Sequence, residues 1–399
     1  MRILIAHEAA AGAGGVESYL AALMPALVAR GHELTFLHAT SRTASAPTRL
    51  DHGDWRSASV ADDGIDRVMA QIHAWRPDVC FSHNMGPLDV ETRLLETTPV
   101  VKMMHGYFGT CISGQKSHMF PAAQPCERRF GAPCLGLFLP RRCGQLSPAR
   151  MVSQFGWALR QRALFPRYRA IVVASTHMAE EYRRHTGPEE RVVVAPMLAT
   201  EPEPATARVL PARPSLLYMG RMTSIKGGDV LVRAAGIANR TLRTPLTLVM
   251  AGDGPEQERW QHLARECAVD ARFPGWVTGP ERTARLRDAS VLAVPSLWPE
   301  PFGLVGLEAA VHGVPAVAFD VGGIGEWLRD GESGCFAARY GDPDSLGQAV
   351  AAMLGDEPRL AALGEGARRL ARRFTMRAHL ETIEPVLAEA AGRIGVALS

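Results

Sequence analysis

Val294-Pro295-Ser296-Leu297-Trp298-Pro299-Glu300-Pro301-Phe302-Gly303-Leu304-Val305-Gly306-Leu307-Glu308 is the stretch from which the rest of the chain can be read. An apolar run ends at Pro295 as a strand, a loop carries Glu300, and a helix is predicted to begin near Phe302. Glu308 falls about two turns into that helix, bracketed by Leu307 and Ala309–Val311 on an otherwise apolar segment. A carboxylate there costs free energy unless it is bonded, and paired ribose hydroxyls are suitable donors. Glu300 beside the amides of Phe302, Gly303 and Leu304 would set a carboxylate at sugar hydroxyls and N–H groups at a diphosphate. The alternative is a capping carboxylate followed by an exposed glutamate.

Outward from this stretch, short β-like runs alternate with longer helical patterns, the mark of an α/β fold with helix-covered parallel sheets. Ile3–Ala6, Leu34–Leu37, Val79–Phe81, Val100–Met104, Ile171–Ala174 and Val192–Val194 read as strands of a first half. Glu17–Arg30 and Ile65–Trp75 show helical spacing, with Pro25 predicting a kink. Ala195–Pro214 is rich in Pro, Ala and Thr and reads as a connection. Strands near Leu216–Met219, Leu246–Met250, Val291–Val294 and Ala316–Phe319 come next, then helices over Pro343–Leu354, Pro358–Arg373 and Ala378–Ala391. A chain of 399 residues exceeds one compact core. The expected division is therefore a domain over 1–200, a linker over 201–214, a second domain over 215–375 and a last helical segment over 376–399. Each doubly wound domain places a ligand crevice at its strand carboxyl ends, so facing ends would suit a ligand long enough to touch both.

Two further loops carry phosphate chemistry. Ala11-Gly12-Ala13-Gly14-Gly15-Val16-Glu17 opens directly into a helix, and Gly14 and Gly15 let backbone approach a phosphate at the helix N-terminus. The second strand ends His38-Ala39-Thr40 without a carboxylate, which disfavours a nicotinamide cofactor. A plain tight turn is the other reading. The second half opens Tyr218-Met219-Gly220-Arg221-Met222-Thr223-Ser224-Ile225-Lys226-Gly227-Gly228. An arginine such as Arg221 can fork onto two phosphate oxygens, while a lysine such as Lys226 acts as a mobile point charge. Two fixed cations would stabilise charge on a departing phosphate and make a divalent metal unnecessary; a solvated basic turn remains the alternative.

Glu300 and Glu308, with the continuation Ala309-Ala310-Val311-His312-Gly313-Val314-Pro315, resemble the signature of glycosyltransferase family 4, retaining enzymes of the GT-B fold. The resemblance extends to Gly14-Gly15-Val16-Glu17, Gly220-Arg221…Lys226-Gly227, Ala251-Gly252-Asp253-Gly254-Pro255, Gly275-Trp276-Val277 and Val321-Gly322-Gly323. It implies two Rossmann-like domains facing across a cleft that closes on a nucleotide-diphosphate sugar. Glu308 would hold the ribose, Arg221 and Lys226 the diphosphate, the Gly14–Gly15 loop the phosphates, and Glu300 the donor-sugar hydroxyls. Gly275 and Val277 would meet the nucleobase. His105 matches the family's histidine near the anomeric centre, so His105, Glu300, Arg221 and Lys226 form the expected catalytic set. The leaving oxygen helps deprotonate the incoming hydroxyl, without a dedicated base or a catalytic cofactor. The final helix would pack back on the first domain. The implied acceptor is a glycan, lipid-linked or small molecule, in bacterial surface polysaccharide or glycoconjugate synthesis. The rival readings are a sugar-nucleotide epimerase, a glycosyl phosphorylase, or a non-catalytic nucleotide-sugar-binding protein.

Composition sets the remaining bounds. The chain is 47% hydrophobic and 21% charged with net charge +3, ordinary for a globular protein and without a nucleic-acid signal. No secretory signal and no run of eighteen apolar residues is visible, which predicts a cytoplasmic protein. A Cys-rich insert spans about 106–150. Cys111, Cys126, Cys134 and Cys143 are separated by 14, 7 and 8 residues, not by CxxC pairs. They read as a structural zinc site, with His118 a further ligand, or as disulfides, or as reduced thiols. From Arg128 to Ala179 there are nine Arg and no Asp or Glu, interleaved with aromatics. That suits an anionic membrane surface at the inner face, or a phosphate-bearing acceptor, or else a solvated helix face.

Overall fold

The computed structural model describes residues 1–12, 14–41, 48–198 and 210–392. Residues 201–209 of the expected linker and 393–399 of the last segment lie outside the described residues, as does Ala13 of the glycine loop. The chain divides into two compact units. One comprises Met1–Gln115, Arg128–Met197 and Met376–Ser399; the other comprises Lys116–Glu127 and Leu198–Thr375. Lys116–Glu127, which the sequence placed inside the first domain's insert, thus groups with the second unit.

The first unit holds a seven-stranded parallel sheet of β1 (Arg2–His7), β2 (Glu33–His38), β3 (Arg56–Ser59), β4 (Val79–Ser82), β5 (Val100–Met104), β6 (Ala170–Val173) and β7 (Val192–Val194). Its spatial order is β3-β2-β1-β4-β5-β6-β7. The second unit holds β8 (Ser215–Met219), β9 (Thr247–Ala251), β10 (Asp270–Gly275), β11 (Val291–Val294), β12 (Ala316–Ala318) and β13 (Gly334–Phe336), all parallel, in the order β10-β9-β8-β11-β12-β13. Both sheets therefore follow the doubly wound 3-2-1-4-5-6 order. The winding reverses between the first and fourth strands, and ligands gather outside the carboxyl ends there. That point lies at β1/β4 in the first unit and at β8/β11 in the second.

Buried-on-both-faces strands explain the apolar runs: four residues of β4 and all five of β5 are buried. Six helices position or support the functional side chains: α1 (Gly15–Ala29), α2 (Leu88–Thr97), α3 (Pro148–Ala163), α4 (Gly279–Asp288), α5 (Leu304–Val311) and α6 (Met376–Ala390). On α1, Tyr19, Leu20, Leu23, Met24 and Leu27 form one buried face. The helix α6 completes the first unit. Its buried His379 donates from Nδ1 to the Pro196 carbonyl at 2.8 Å and so accepts the Tyr19 hydroxyl at Nε2, also at 2.8 Å. Glu384 of the same helix accepts from Arg30 at 2.7 Å and lies 3.0 Å from His32.

Candidate active site

In the second unit, the loops leaving β8 and β11 converge at the switch point. Lys226 closes a short 3₁₀ turn, Ser224–Lys226, and its Nζ lies 2.6 Å from Glu300 Oε1. Ser296 donates to the same oxygen at 2.5 Å, and the Trp298 ring centroid lies 5.0 Å from Nζ. Glu300 is only 5% exposed, so the two donors offset the cost of burying its polar oxygens. Two glycines allow the approach. Gly227 has φ +68° and a Cβ there would lie 1.9 Å from the Pro295 carbonyl oxygen. Gly322 has φ +63° with its Cβ position 2.4 Å from the Glu300 carbonyl oxygen, while Gly323 donates to that oxygen at 2.7 Å.

Beyond Glu300, Phe302 is buried and its carbonyl accepts the Trp327 indole N–H at 2.6 Å. The helix α5 starts at Leu304, two residues later than the sequence suggests, with Gly303 at its cap and, among the described residues, no side chain bonded to its first amides. Gly306 donates to the Gly303 carbonyl at 3.0 Å, and the amides of Leu304 and Val305 before it suit an anion. On α5, Glu308 forms a short ion pair with Arg282 of α4. Burial raises the Glu308 carboxyl above its ordinary range, and Arg282 opposes that rise. Gly275 ends β10, its carbonyl accepting from Gly252 at 2.7 Å, and Val277 is buried two residues on. Arg221 is exposed on the β8 loop, and its carbonyl accepts the Tyr218 hydroxyl at 2.8 Å.

In the first unit, His105 follows β5 and lies 3.0 Å, Nε2 to Nδ1, from the fully buried His83 that follows β4. Burial first, then the charges of His7 and Lys102, lowers the His105 pKa to about 3, so the ring is neutral in ordinary buffers. Tyr19 packs edge-on against it, ring centroids 5.7 Å apart. Lys102, inside β5, is buried against the equally buried Glu91 of α2 at 3.0 Å. It also donates to Ser82 Oγ at 3.0 Å and to the His83 carbonyl. Beside these groups lies a cavity of about 160 Å³, whose walls include Glu8, His83, Asn84, Lys102, Trp157 and Gln161. Gly14 caps α1, and Cβ positions at Gly12 and Gly14 would lie 2.6 and 2.5 Å from the Glu17 side chain. That carboxylate is held 3.4 Å from His7, whose hydrogen bond lowers its pKa. An acid from α1's own first turn thus occupies the space beside the glycine loop.

Two family models match consecutive parts of the chain: Glycosyltransferase Family 4 over residues 13–197 and Glycosyl transferases group 1 over residues 206–370. The chain belongs to glycosyltransferase family 4. Its fold is GT-B. A D-inositol 3-phosphate glycosyltransferase of Corynebacterium aurimucosum is 33% identical over 180 residues, 43% of this chain and 42% of that protein. The chain spans about half the length, or less, of the curated relatives it matches. Among solved structures, the sucrose-phosphate synthase of Thermosynechococcus elongatus aligns with TM-score 0.72 at 19% identity, covering 98% of this chain and 100% of that one. Anabaena HepE in complex with UDP and glucose aligns with TM-score 0.68 at 15% identity, with coverages of 98% and 100%.

This family 4 chain brings some expected residues together and separates others. Lys226 and Glu300 touch, while Phe302, Gly303 and Leu304 lead from Glu300 into α5. Glu308, expected to hold the ribose, has Arg282 as partner. Among the described residues no three His, Cys, Asp or Glu side chains gather into a group that could hold an ion. Cys111, Cys134 and Cys143 instead pack on an apolar cluster of Ile112, Phe130, Phe138 and Ala158, and none of the seven cysteines forms a disulfide. Sequence reading missed Ser296, Arg282, His83, Lys102 and Glu91. The signal for Lys102 was a cation inside the apolar run Val100–Met104. Among the described residues no helix is long and apolar enough to cross a membrane.

Proposed function

We propose that the chain transfers a sugar, with retention of anomeric configuration, from a nucleoside-diphosphate sugar to a hydroxyl of a glycan, lipid-linked or small-molecule acceptor. The observation that carries this reading is the buried Glu300 held by Lys226 and Ser296 at the switch point of the second sheet. Arriving diphosphate competes with Glu300 for Lys226. Arg221 adds a second cation, and the first amides of α5 a dipole, where charge develops on the departing phosphate. Glu300, relieved of Lys226, accepts hydroxyls of the donor sugar. Glu308 accepts the ribose hydroxyls. The two cations supply the charge stabilisation for which a divalent metal would otherwise serve. His105 is neutral and so acts as a hydrogen-bond partner near the anomeric carbon, while the leaving oxygen takes the acceptor proton. A panel of nucleotide sugars, with product mass and anomeric configuration by NMR, tests the proposal. Transfer with retention is expected. Inverted product, epimerised donor without acceptor, phosphate-dependent release, or binding without turnover would each replace it.

We also propose that α3 meets an anionic membrane at its cytoplasmic face. Leu146, Val152 and Leu159 are exposed, the last two seven residues apart on one helical face, amid exposed Arg142, Arg150, Arg160 and Arg162. Cosedimentation with phosphatidylglycerol vesicles should be salt-sensitive and lost in Val152→Ser/Leu159→Ser. Equal recovery with phosphatidylcholine vesicles contradicts it.

A further inference from the structure

The cavity of the first unit lies at the carboxyl ends of β1, β4 and β5, the switch point of that sheet, and nothing in the donor chemistry of the second unit uses it. We infer that it receives an uncharged polyhydroxylated ring, a sugar or cyclitol carrying no phosphate, as the acceptor; this rests on the transfer reading above.

Charge is the first argument. The walls hold one acid, Glu8, and one strong base, Lys102, together with the imidazole of His83. An ammonium has three N–H donors. Lys102 directs them to Glu91, Ser82 Oγ and the His83 carbonyl, so its charge is matched and no donor remains for a ligand. His83 is held neutral by burial and by the neighbouring His105. The remaining net charge is the Glu8 carboxylate, which is exposed and lies beside Gly86, where a Cβ would come 2.7 Å from its Oε2. Among the described wall residues a phosphate ester would meet a like charge without a free cation, a juxtaposition that disfavours binding. None of the α3 arginines is a wall residue.

Hydrogen bonding is the second. Among the described residues His83 Nε2 is buried without a partner, which is costly until a hydroxyl supplies one. Glu8 accepts, and Asn84 both donates and accepts. Gln161 uses its N–H₂ on the Tyr168 hydroxyl at 3.0 Å, leaving a carbonyl acceptor. A polyol matches this mixture because each hydroxyl can donate and accept. Shape is the third. The indole of Trp157 is fixed by its N–H on the Gly86 carbonyl at 3.0 Å and meets Phe108 edge-to-face at 5.8 Å. Both rings line the cavity, offering apolar surface for the C–H side of a sugar ring.

The test is saturation-transfer NMR and calorimetry on the full chain, with UDP present, using D-glucose, D-mannose, D-galactose, myo-inositol and the monophosphate of each. At least one uncharged ring should bind at least tenfold tighter than its monophosphate, about 1.4 kcal/mol. Glu8→Gln should narrow that ratio severalfold without changing thermal stability, since Glu8 is exposed. Trp157→Phe should weaken the uncharged ring and spare UDP. A monophosphate binding as tightly as its parent, a ratio unmoved by Glu8→Gln, or no ring binding by a chain that still turns over its donor would overturn the inference. If the chain neither binds nor turns over any nucleotide sugar, the transfer reading fails first, and the inference with it.

Discussion

Replacing Lys226 by Met strands a buried carboxylate. At 2.6 Å the Lys226–Glu300 attraction is about 6 kcal/mol for an effective dielectric of ~20, and desolvation of both charges offsets much of it. Removing one partner of such a pair typically costs about 3–5 kcal/mol, because the other is left uncompensated. Lys226 is 27% exposed, which places the cost near the lower end. For a unit of this size, about 3 kcal/mol lowers the melting temperature by roughly 6–12 °C. Adding Glu300→Gln removes the stranded charge, and Ser296 can still bond the amide, so the double variant should regain at least about 1.5 kcal/mol. Turnover behaves otherwise. Lys226→Met should lower kcat/KM by about 10²–10³, the loss of one aligned charge at the transition state, and Glu300→Gln should not restore it. Differential scanning calorimetry and steady-state kinetics on the wild type, both single variants and the double variant give the full cycle. A double variant no more stable than Lys226→Met would refute the claim that Lys226 compensates a buried Glu300.

Three further outcomes are expected. Gly227→Ala combines φ +68° with a Cβ 1.9 Å from the Pro295 oxygen and should cost about 3 kcal/mol or more; an unshifted urea midpoint contradicts that close approach. His379, neutral in the folded chain with its pKa lowered by burial to about 4, ionises near 6.5 once unfolded. Its contribution is therefore complete above pH 6.5 and is lost as pH falls toward 4, by about 3 kcal/mol, and His105 adds loss of the same sign down to pH 3. Melting temperatures between pH 7.5 and 4.5 check this, with His379→Gln giving the shallower slope. Arg282→Met removes the cation that opposes burial at Glu308, so its pKa should rise further, and the affinity for whichever nucleoside diphosphate proves to bind should fall at higher pH than in the wild type; coincident calorimetric pH profiles would contradict it.

Strands buried on both faces were legible because burial demands unbroken apolar runs, as in β1, β5 and β6. The edge strands β3 and β10 escaped notice for the same reason, whereas the apolar edge strand β7 did not. β3 reads Arg-Ser-Ala-Ser, and β10 alternates exposed and partly buried residues and contains Pro274. In the site, Lys226 and Glu300 each stood out beside glycines or prolines, yet their contact joins residues 74 apart and depends on which strands neighbour one another. The Arg282–Glu308 pair was hidden because Arg282 sits on a polar helix where any arginine looks solvated. Cysteine spacing left ligation open because it records separation along the chain, whereas ligation needs side chains that converge. Cys111, Cys134 and Cys143 turn toward Phe138 and its neighbours, where apolar packing satisfies them.

The return of α6 also has a bearing on how the chain is made. Tyr19 receives its partner, His379, only after 359 intervening residues have left the ribosome, because the two stand 360 apart. Until then the nascent first unit carries an uncovered buried-type tyrosine and an unanswered Arg30. A fragment stopping before Met376 should accordingly be prone to aggregation, and supplying Met376–Ala390 as a separate peptide should rescue it.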